Sequence, residues 1–317
     1  GFDLFYGMKA GGRDYFYNEK KSDRPGDERN LLLNDRQVKF EKYLTDAFSE
    51  KAVEFINESS QPFMMYLAYN AVHTPMQATD EDMAKFEGHP RQKLAAMTYA
   101  LDRGVGTVIR GLKDSGKFDN TLIFFLSDNG GATTNQSSNY PLKGFKGNKF
   151  EGGHRVPYFV VWKNGIPAGK PYDGLVSSLD IFATAIDAAS ISKTRNRLDG
   201  VSLLPYLKGK KGEPHKVLYW RKMDTRAIRS GDYKLIITHG VDSVLYNIRR
   251  DPEEMNNLIN KEPDLYRKLA KKLAKWEKNE CIEPSWLEEG WRKITNRYHQ
   301  QLMHNEIKTA QDLYKKK

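Results

Sequence analysis

Three short segments carry side chains whose types and spacing could do chemistry. In Asn70-Ala71-Val72-His73-Thr74-Pro75 a histidine stands directly ahead of Thr-Pro. Such a histidine can donate a hydrogen bond or a proton to an anionic ligand, although alone it reads more simply as a turn residue. Ser127-Asp128-Asn129-Gly130-Gly131 sets a carboxylate beside a carboxamide, with glycines that let the backbone turn sharply. Asp128 and Asn129 thus offer two oxygens to a hard cation such as Ca2+, or form an ordinary Asp-Asn-Gly turn. Calcium takes about six to eight ligands, so any others must come from elsewhere. The third segment, Leu142-Lys143-Gly144-Phe145-Lys146-Gly147-Asn148-Lys149-Phe150-Glu151-Gly152-Gly153-His154-Arg155-Val156-Pro157, mixes glycine and proline with basic residues. That mixture suits close backbone approach to an anion; Lys143 and Lys149 are expected in solvent and His154 in packing.

The first two segments follow apolar runs that read as strands, where α/β folds gather their sites. Phe63–Tyr69 and Thr121–Leu126 are short, continuous and apolar, as expected of strands buried on both faces of a parallel sheet. Tyr158–Trp162 is a third such run. Helical spacing links Leu44, Phe48, Ala52 and Ile56, then Leu94 to Leu112, then Leu179 to Ala189. Strands alternating with helices over this length predict an α/β layer fold. Gly209-Lys210-Lys211-Gly212-Glu213-Pro214 marks a boundary. Beyond it, 217–220, 225–229, 233–238 and 244–248 predict an antiparallel meander. A helix follows from Pro263, with Leu265, Leu269, Leu273 and Trp276 on one face. Residues 280–317 are polar and basic with weak periodicity. The expected division is 1–212, 213–280 and 281–317.

Composition removes several classes. The 317 residues carry 39% hydrophobic and 12% aromatic side chains, enough for a sizeable core and too many for a disordered chain. No apolar run approaches a membrane span. One cysteine, Cys281, excludes an internal disulfide framework and a cysteine-rich zinc site. A net charge of +10 favours anionic partners. Nucleic acid is disfavoured, since no recognition motif or stacking platform is apparent. The chain starts at Gly1 with no initiator Met and no targeting segment, and is expected to be processed or a piece of something longer.

Taken together, a strand then His-Thr-Pro, a strand then Ser-Asp-Asn-Gly-Gly, and the Gly144–Pro157 segment resemble the type I, formylglycine-dependent sulfatase family of the alkaline-phosphatase superfamily. Gly1–Gly7, Leu198–Pro205, Arg226–Arg229 with Asp232–Leu235, and Leu245–Asn247 with Asp251–Glu254 extend the resemblance over about residues 1–280. It implies an alkaline-phosphatase-like α/β sandwich with a mixed, mostly parallel sheet, and a small carboxyl-terminal α+β subdomain with an antiparallel sheet. It also implies a sulfuric ester hydrolase with Asp128 and Asn129 as two ligands of a catalytic Ca2+. Lys146 would be a fixed positive charge on the sulfate ester and His73 a donor near the leaving-group oxygen. Glu151, Gly152, Gly153 and Arg155 would shape the loop. The implied substrate is a sulfated saccharide, and the family's habit points to the periplasm or export.

One motif is absent. Members convert the Cys or Ser of Cys/Ser-x-Pro-x-Arg to formylglycine, the nucleophile once hydrated. Here only Pro62 follows a serine at the right spacing (Ser60), and Met64 stands where arginine is needed. Cys281 lacks the pattern, and the aspartate pair that completes the calcium site is also missing. The chain therefore resembles a sulfatase without its amino-terminal nucleophile segment and is expected to be inactive alone. Two other readings stand beside it. One is a phosphodiesterase or phosphonate hydrolase of the same superfamily, disfavoured by the single Asp-Asn pair. The other is a non-catalytic module binding acidic glycan, for which residues 261–317 hold +5 of the net charge.

Overall fold

A computed structural model describes residues 1–191, 197–281 and 289–315. The chain forms two compact units, Gly1–Thr121 and Leu122–Lys317; the boundary expected near residue 212 lies within the second.

In the first unit the helical spacing is realised as α1 (Leu44–Glu58), α2 (Asp80–Ala84) and α3 (Gln92–Asp114). The periodic residues Leu44, Phe48, Ala52 and Ile56 are buried, and Met97 and Ala100 of α3 join the same core. Arg103 of α3 clamps the helices together: it pairs with Asp46 of α1 at 3.0 Å and Asp82 of α2 at 2.6 Å. The loop expected over residues 1–40 holds three two-residue strands, β1 (Tyr6–Gly7), β2 (Leu32–Leu33) and β3 (Arg36–Gln37), in one antiparallel ladder. Arg13 pins this region. Its guanidinium meets both Asp23 carboxylate oxygens at 2.8 Å and lies over the Phe40 ring, so it is structural.

The strand expected at Phe63–Tyr69 is not formed. The segment is outside every ladder among the described residues, and its side chains alternate between half-buried and exposed. Apolar content makes a strand only when a neighbour takes up its backbone groups.

The second unit begins with β4 (Ile123–Leu126), which pairs antiparallel with β5 (Tyr158–Val161). No parallel ladder occurs among the described residues. Phe125, Phe159 and Val161 share one face of this pair and are exposed. Between and after them lie α4 (Glu151–His154), α5 (Asp180–Ala188) and α6 (Leu204–Leu207). The meander follows as expected: β6 (Val217–Lys222), β7 (Thr225–Ser230), β8 (Tyr233–Thr238) and β9 (Asp242–Asn247), each antiparallel to the next. Its period-2 pattern sorts two faces. Ile228, Leu235 and Leu245 pack on Leu269 and Leu273 of α7 (Pro263–Glu280). Ala227, Ile236, Val244 and Tyr246 pack on Phe145 and Phe150. Full burial of each of those two phenylalanines contributes about 1.5–3 kcal/mol.

The polar carboxyl-terminal stretch is a correction. It forms α8 (Glu289–Met303) and α9 (Asp312–Lys315), and Leu302, Met303, Ile307 and Ala310 lie in the same core as Phe145 and Phe150. Few residues carry this burial, so a weak apolar period hid a packed element. Several of its charges are also engaged: Arg292 with Asp224 at 2.7 Å, His304 with Asp242 at 3.0 Å, and Lys308 with Glu253.

Candidate active site

His73 belongs to the first unit. It is exposed, and its Nδ1 lies 2.8 Å from the Thr74 carbonyl oxygen, so Nδ1 carries the proton and Nε2 is left free. Tyr15 holds this turn from beneath: its buried hydroxyl lies 2.6 Å from the Asn70 carbonyl oxygen and 2.9 Å from that of His73. Burial and the nearby Tyr43 hold the Tyr15 phenol far above its ordinary pKa, more than offsetting the contact with the His73 carbonyl, so it stays a donor. Gln77 fixes Tyr15 in turn by accepting from its backbone N–H at 2.8 Å. Tyr15 was not legible as a support, because it meets the turn and Gln77 from about sixty residues away.

Asp128, Asn129 and Lys146 come together in the second unit. The Lys146 N–H donates to Gly131 O at 2.9 Å, and the Gly130 N–H to Gly153 O at 3.0 Å. Asn139 adds a third tie, accepting from the Gly131 N–H at 2.8 Å. The turn after β4 is thereby fastened to the loop that carries Lys146. Glycine is required where these backbones meet: a Cβ on Gly130 would stand 1.8 Å from Gly152 O. Gly130→Ala is expected to lower stability by roughly 2 kcal/mol or more, read by thermal unfolding, because the clash is with backbone and not with a movable side chain.

Lys146 is exposed and joins no ion pair among the described residues. Asp128 is likewise exposed, and its carboxylate accepts no side-chain or backbone hydrogen bond there. A carboxylate and a carboxamide oxygen fit a hard cation. Among the described residues, though, no three His, Cys, Asp or Glu side chains group as metal ligands. The residues present therefore fit part of a calcium shell.

Lys143 is not in solvent, and Lys149 is only half-exposed. Lys143 is fully buried and donates from Nζ to Glu254 O at 3.0 Å and to Asn305 Oδ1 at 2.5 Å; burial pulls its pKa down to about 8. Beneath these lysines, Glu151 meets Lys234 of β8 at 2.8 Å and Arg229 at 3.4 Å. Glu254 meets Lys234 at 3.0 Å and accepts from the Glu151 N–H at 2.6 Å. Gly144 donates to Lys308 O at 2.7 Å, which ties the loop to the carboxyl-terminal stretch. His154 packs, as expected: its ring stacks on Trp220 at 4.5 Å, and burial drives it neutral, down to about 3.

Comparison with known proteins agrees with this arrangement. Residues 1–191 match the family model described as Sulfatase. The chain belongs to the sulfatase family. Residues 146–279 of the sulfatase chain also match the carboxyl-terminal model of N-sulphoglucosamine sulphohydrolase. It is 39% identical over 230 residues to the uncharacterized sulfatase YdeN of Escherichia coli, covering 69% of this chain and 39% of that protein. It is 32% identical over 202 residues to N-acetylgalactosamine-6-sulfatase of Canis lupus familiaris, covering 61% and 38%. The sulfatase chain thus spans less than two-fifths of these curated relatives. The crystal structure of Ps i-CgsB in complex with k-i-k-neocarrahexaose aligns at a TM-score of 0.83 and 36% identity, over 94% of this chain and 71% of that one. The fold is therefore alkaline-phosphatase-like, α/β with the antiparallel meander at its carboxyl-terminal side. No helix among the described residues is long and apolar enough to cross a membrane.

Proposed function

We propose that residues 1–317 are the sulfate-holding part of an enzyme that hydrolyses sulfate esters on a sulfated saccharide. The observation that carries this reading is Lys146: an exposed, unpaired ammonium whose backbone is bonded to the Asp128–Gly131 turn. Lys146 holds a sulfuryl oxygen by charge. His73, as an imidazolium with Nδ1–H on Thr74 O, donates its Nε2 proton to the leaving-group oxygen. Asp128 and Asn129 hold Ca2+, which when bound supplies positive charge against the sulfuryl oxygens. Family membership supports the reaction type, and relatives whose names specify a sulfated sugar support the substrate class.

On this reading 1–212 is a partial catalytic α/β domain and 213–280 its carboxyl-terminal subdomain, with 281–317 bracing both the meander and the Lys146 loop. The nucleophile, a formylglycine made from Cys/Ser-x-Pro-x-Arg, lies outside residues 1–317, as do the other calcium ligands. The exposed Phe125, Phe159 and Val161 suit a sheet that continues in further polypeptide. Desulfation of external glycan places the enzyme in the periplasm or outside the cell.

The test is desulfation of a sulfated oligosaccharide by two polypeptides. Residues 1–317 alone are expected to show no turnover. A polypeptide extended upstream through a Cys/Ser-x-Pro-x-Arg segment is expected to show turnover that a calcium chelator abolishes. Calcium-dependent turnover by 1–317 alone, or phosphodiester hydrolysis in preference to desulfation, would refute the reading.

A further inference from the structure

Three lysines crowd one corner of the second unit without a carboxylate. Lys146 and Lys149 come from the loop after Gly144, and Lys222 ends β6. Lys222 reaches over the loop, where a Cβ on Gly147 would stand 3.0 Å from its Nζ; Gly147 has φ +93°. Among the described residues none of the three makes an ion pair or a side-chain hydrogen bond. The neighbouring Lys143 and Lys234 are fully matched, by Asn305, Glu254 and Glu151.

Lys149 is half-buried and has no charged partner among the described residues. Burial, with the like charges of Lys222 and Lys234, pulls its pKa down to about 8. Lys222 is lowered too, by burial and by Lys146, although it remains open to solvent. Burial keeps His154 and His299 neutral, at about 3 and about 4, so neither adds charge to the corner. Asn148, between Lys146 and Lys149, keeps a buried amide nitrogen without an acceptor.

The arrangement is braced. Asp224, in the turn between β6 and β7, accepts from Arg292 Nε and Asn296 Nδ2 of α8, both at 2.7 Å. The turn that presents Lys222 is therefore fixed by the carboxyl-terminal stretch.

We infer that Lys149 and Lys222 form a second oxyanion subsite beside Lys146, so that the site selects saccharides carrying two anionic groups over those carrying one. The inference rests on the reading of Lys146 as the holder of the reacting sulfate ester. The second group, a sulfate or a carboxylate, supplies the negative charge that the fold withholds from these lysines. A fold that leaves a half-buried ammonium unpaired gives up some stability, and an incoming oxyanion recovers it.

The test is calorimetric titration of the 317-residue chain with three disaccharides of one backbone: disulfated, monosulfated with a uronate carboxylate, and monosulfated without one. One or both dianionic sugars are expected to bind about 10- to 100-fold tighter than the third. Lys149→Met and Lys222→Met are each expected to remove most of that preference while leaving the affinity for the monosulfated sugar without a uronate within about threefold. Lys149→Met is also expected to melt at or above the parent temperature, since it removes an unpaired charge. An unchanged preference in both variants, or an equal loss for all three sugars, overturns the subsite and leaves the role of Lys146 standing. Failure of all three sugars to bind overturns both. A lower melting temperature for Lys149→Met makes that lysine a structural residue and overturns its part in the subsite.

Discussion

Replacing Lys146 by methionine is expected to lower kcat/KM for desulfation by roughly 100- to 1,000-fold in a polypeptide that also carries the nucleophile segment. Its thermal stability should stay within about 0.5 kcal/mol of the parent. Both halves follow from the same geometry. The Lys146 side chain is exposed and unpaired, so removing its charge leaves no buried partner stranded. What holds the loop is the backbone bond from the Lys146 N–H to Gly131 O, which methionine keeps. The lost term is thus a fixed charge against the sulfuryl oxygens, where negative charge builds during the reaction. Steady-state kinetics and a melting curve on the same preparation decide it. If activity and stability fall together, Lys146 is a structural residue and the site must be sought elsewhere.

The Asp128–Asn129 turn was legible as a candidate because its segment is short, contiguous and placed directly after a strand, whereas Lys146 lies twenty residues beyond β4 and is tied to that turn by the bond from its N–H to Gly131 O. The meander was legible for a similar reason: turns at Ser230-Gly231-Asp232 and His239-Gly240 break a period-2 pattern into strands that pair with their neighbours. Phe63–Tyr69 misled because an apolar run states only that a segment avoids water, not that a partner exists for its backbone. Lys143 misled in the opposite sense. Lysine in a glycine-rich loop is normally solvated, and only contacts from residues 254 and 305 reveal that Lys143 is covered. One signal was available and unused. Lys234 shares the inward face of β8 with Ile236, so the alternation itself places a charge in the core and calls for a carboxylate opposite.

Two carboxylates answer that call, and they are expected to behave in opposite ways. Glu151 and Glu254 share Lys234, while only Glu151 also has Arg229. Burial pushes Glu151 up, but the Lys234 ammonium and Arg229 pull it further down, to about 2. Glu254 is fully buried, and burial with the push from Glu151 outweighs Lys234 and raises it to about 7. Glu151 therefore contributes stability that is present above the unfolded carboxylate range near pH 4.5 and is lost as pH falls through about 2. Glu254 contributes stability that is complete below about 4.5 and lost as pH rises through about 7. Stability should be greatest between those limits. At pH 8, Glu151→Gln is expected to cost roughly 3–5 kcal/mol, because it strips the main counter-charge from a buried lysine. Glu254→Gln at pH 8 should be neutral or stabilising by up to about 3 kcal/mol, since the amide oxygen can still accept from the Glu151 N–H and no proton need be lost. The double variant should cost more than the sum, because Glu254 can take over Lys234 in the Glu151→Gln variant but not once it is glutamine itself. Denaturant unfolding of the three variants at pH 5 and pH 8 separates the outcomes. Equal losses for the two single variants at pH 8 would mean that Lys234 is shared evenly between the two carboxylates.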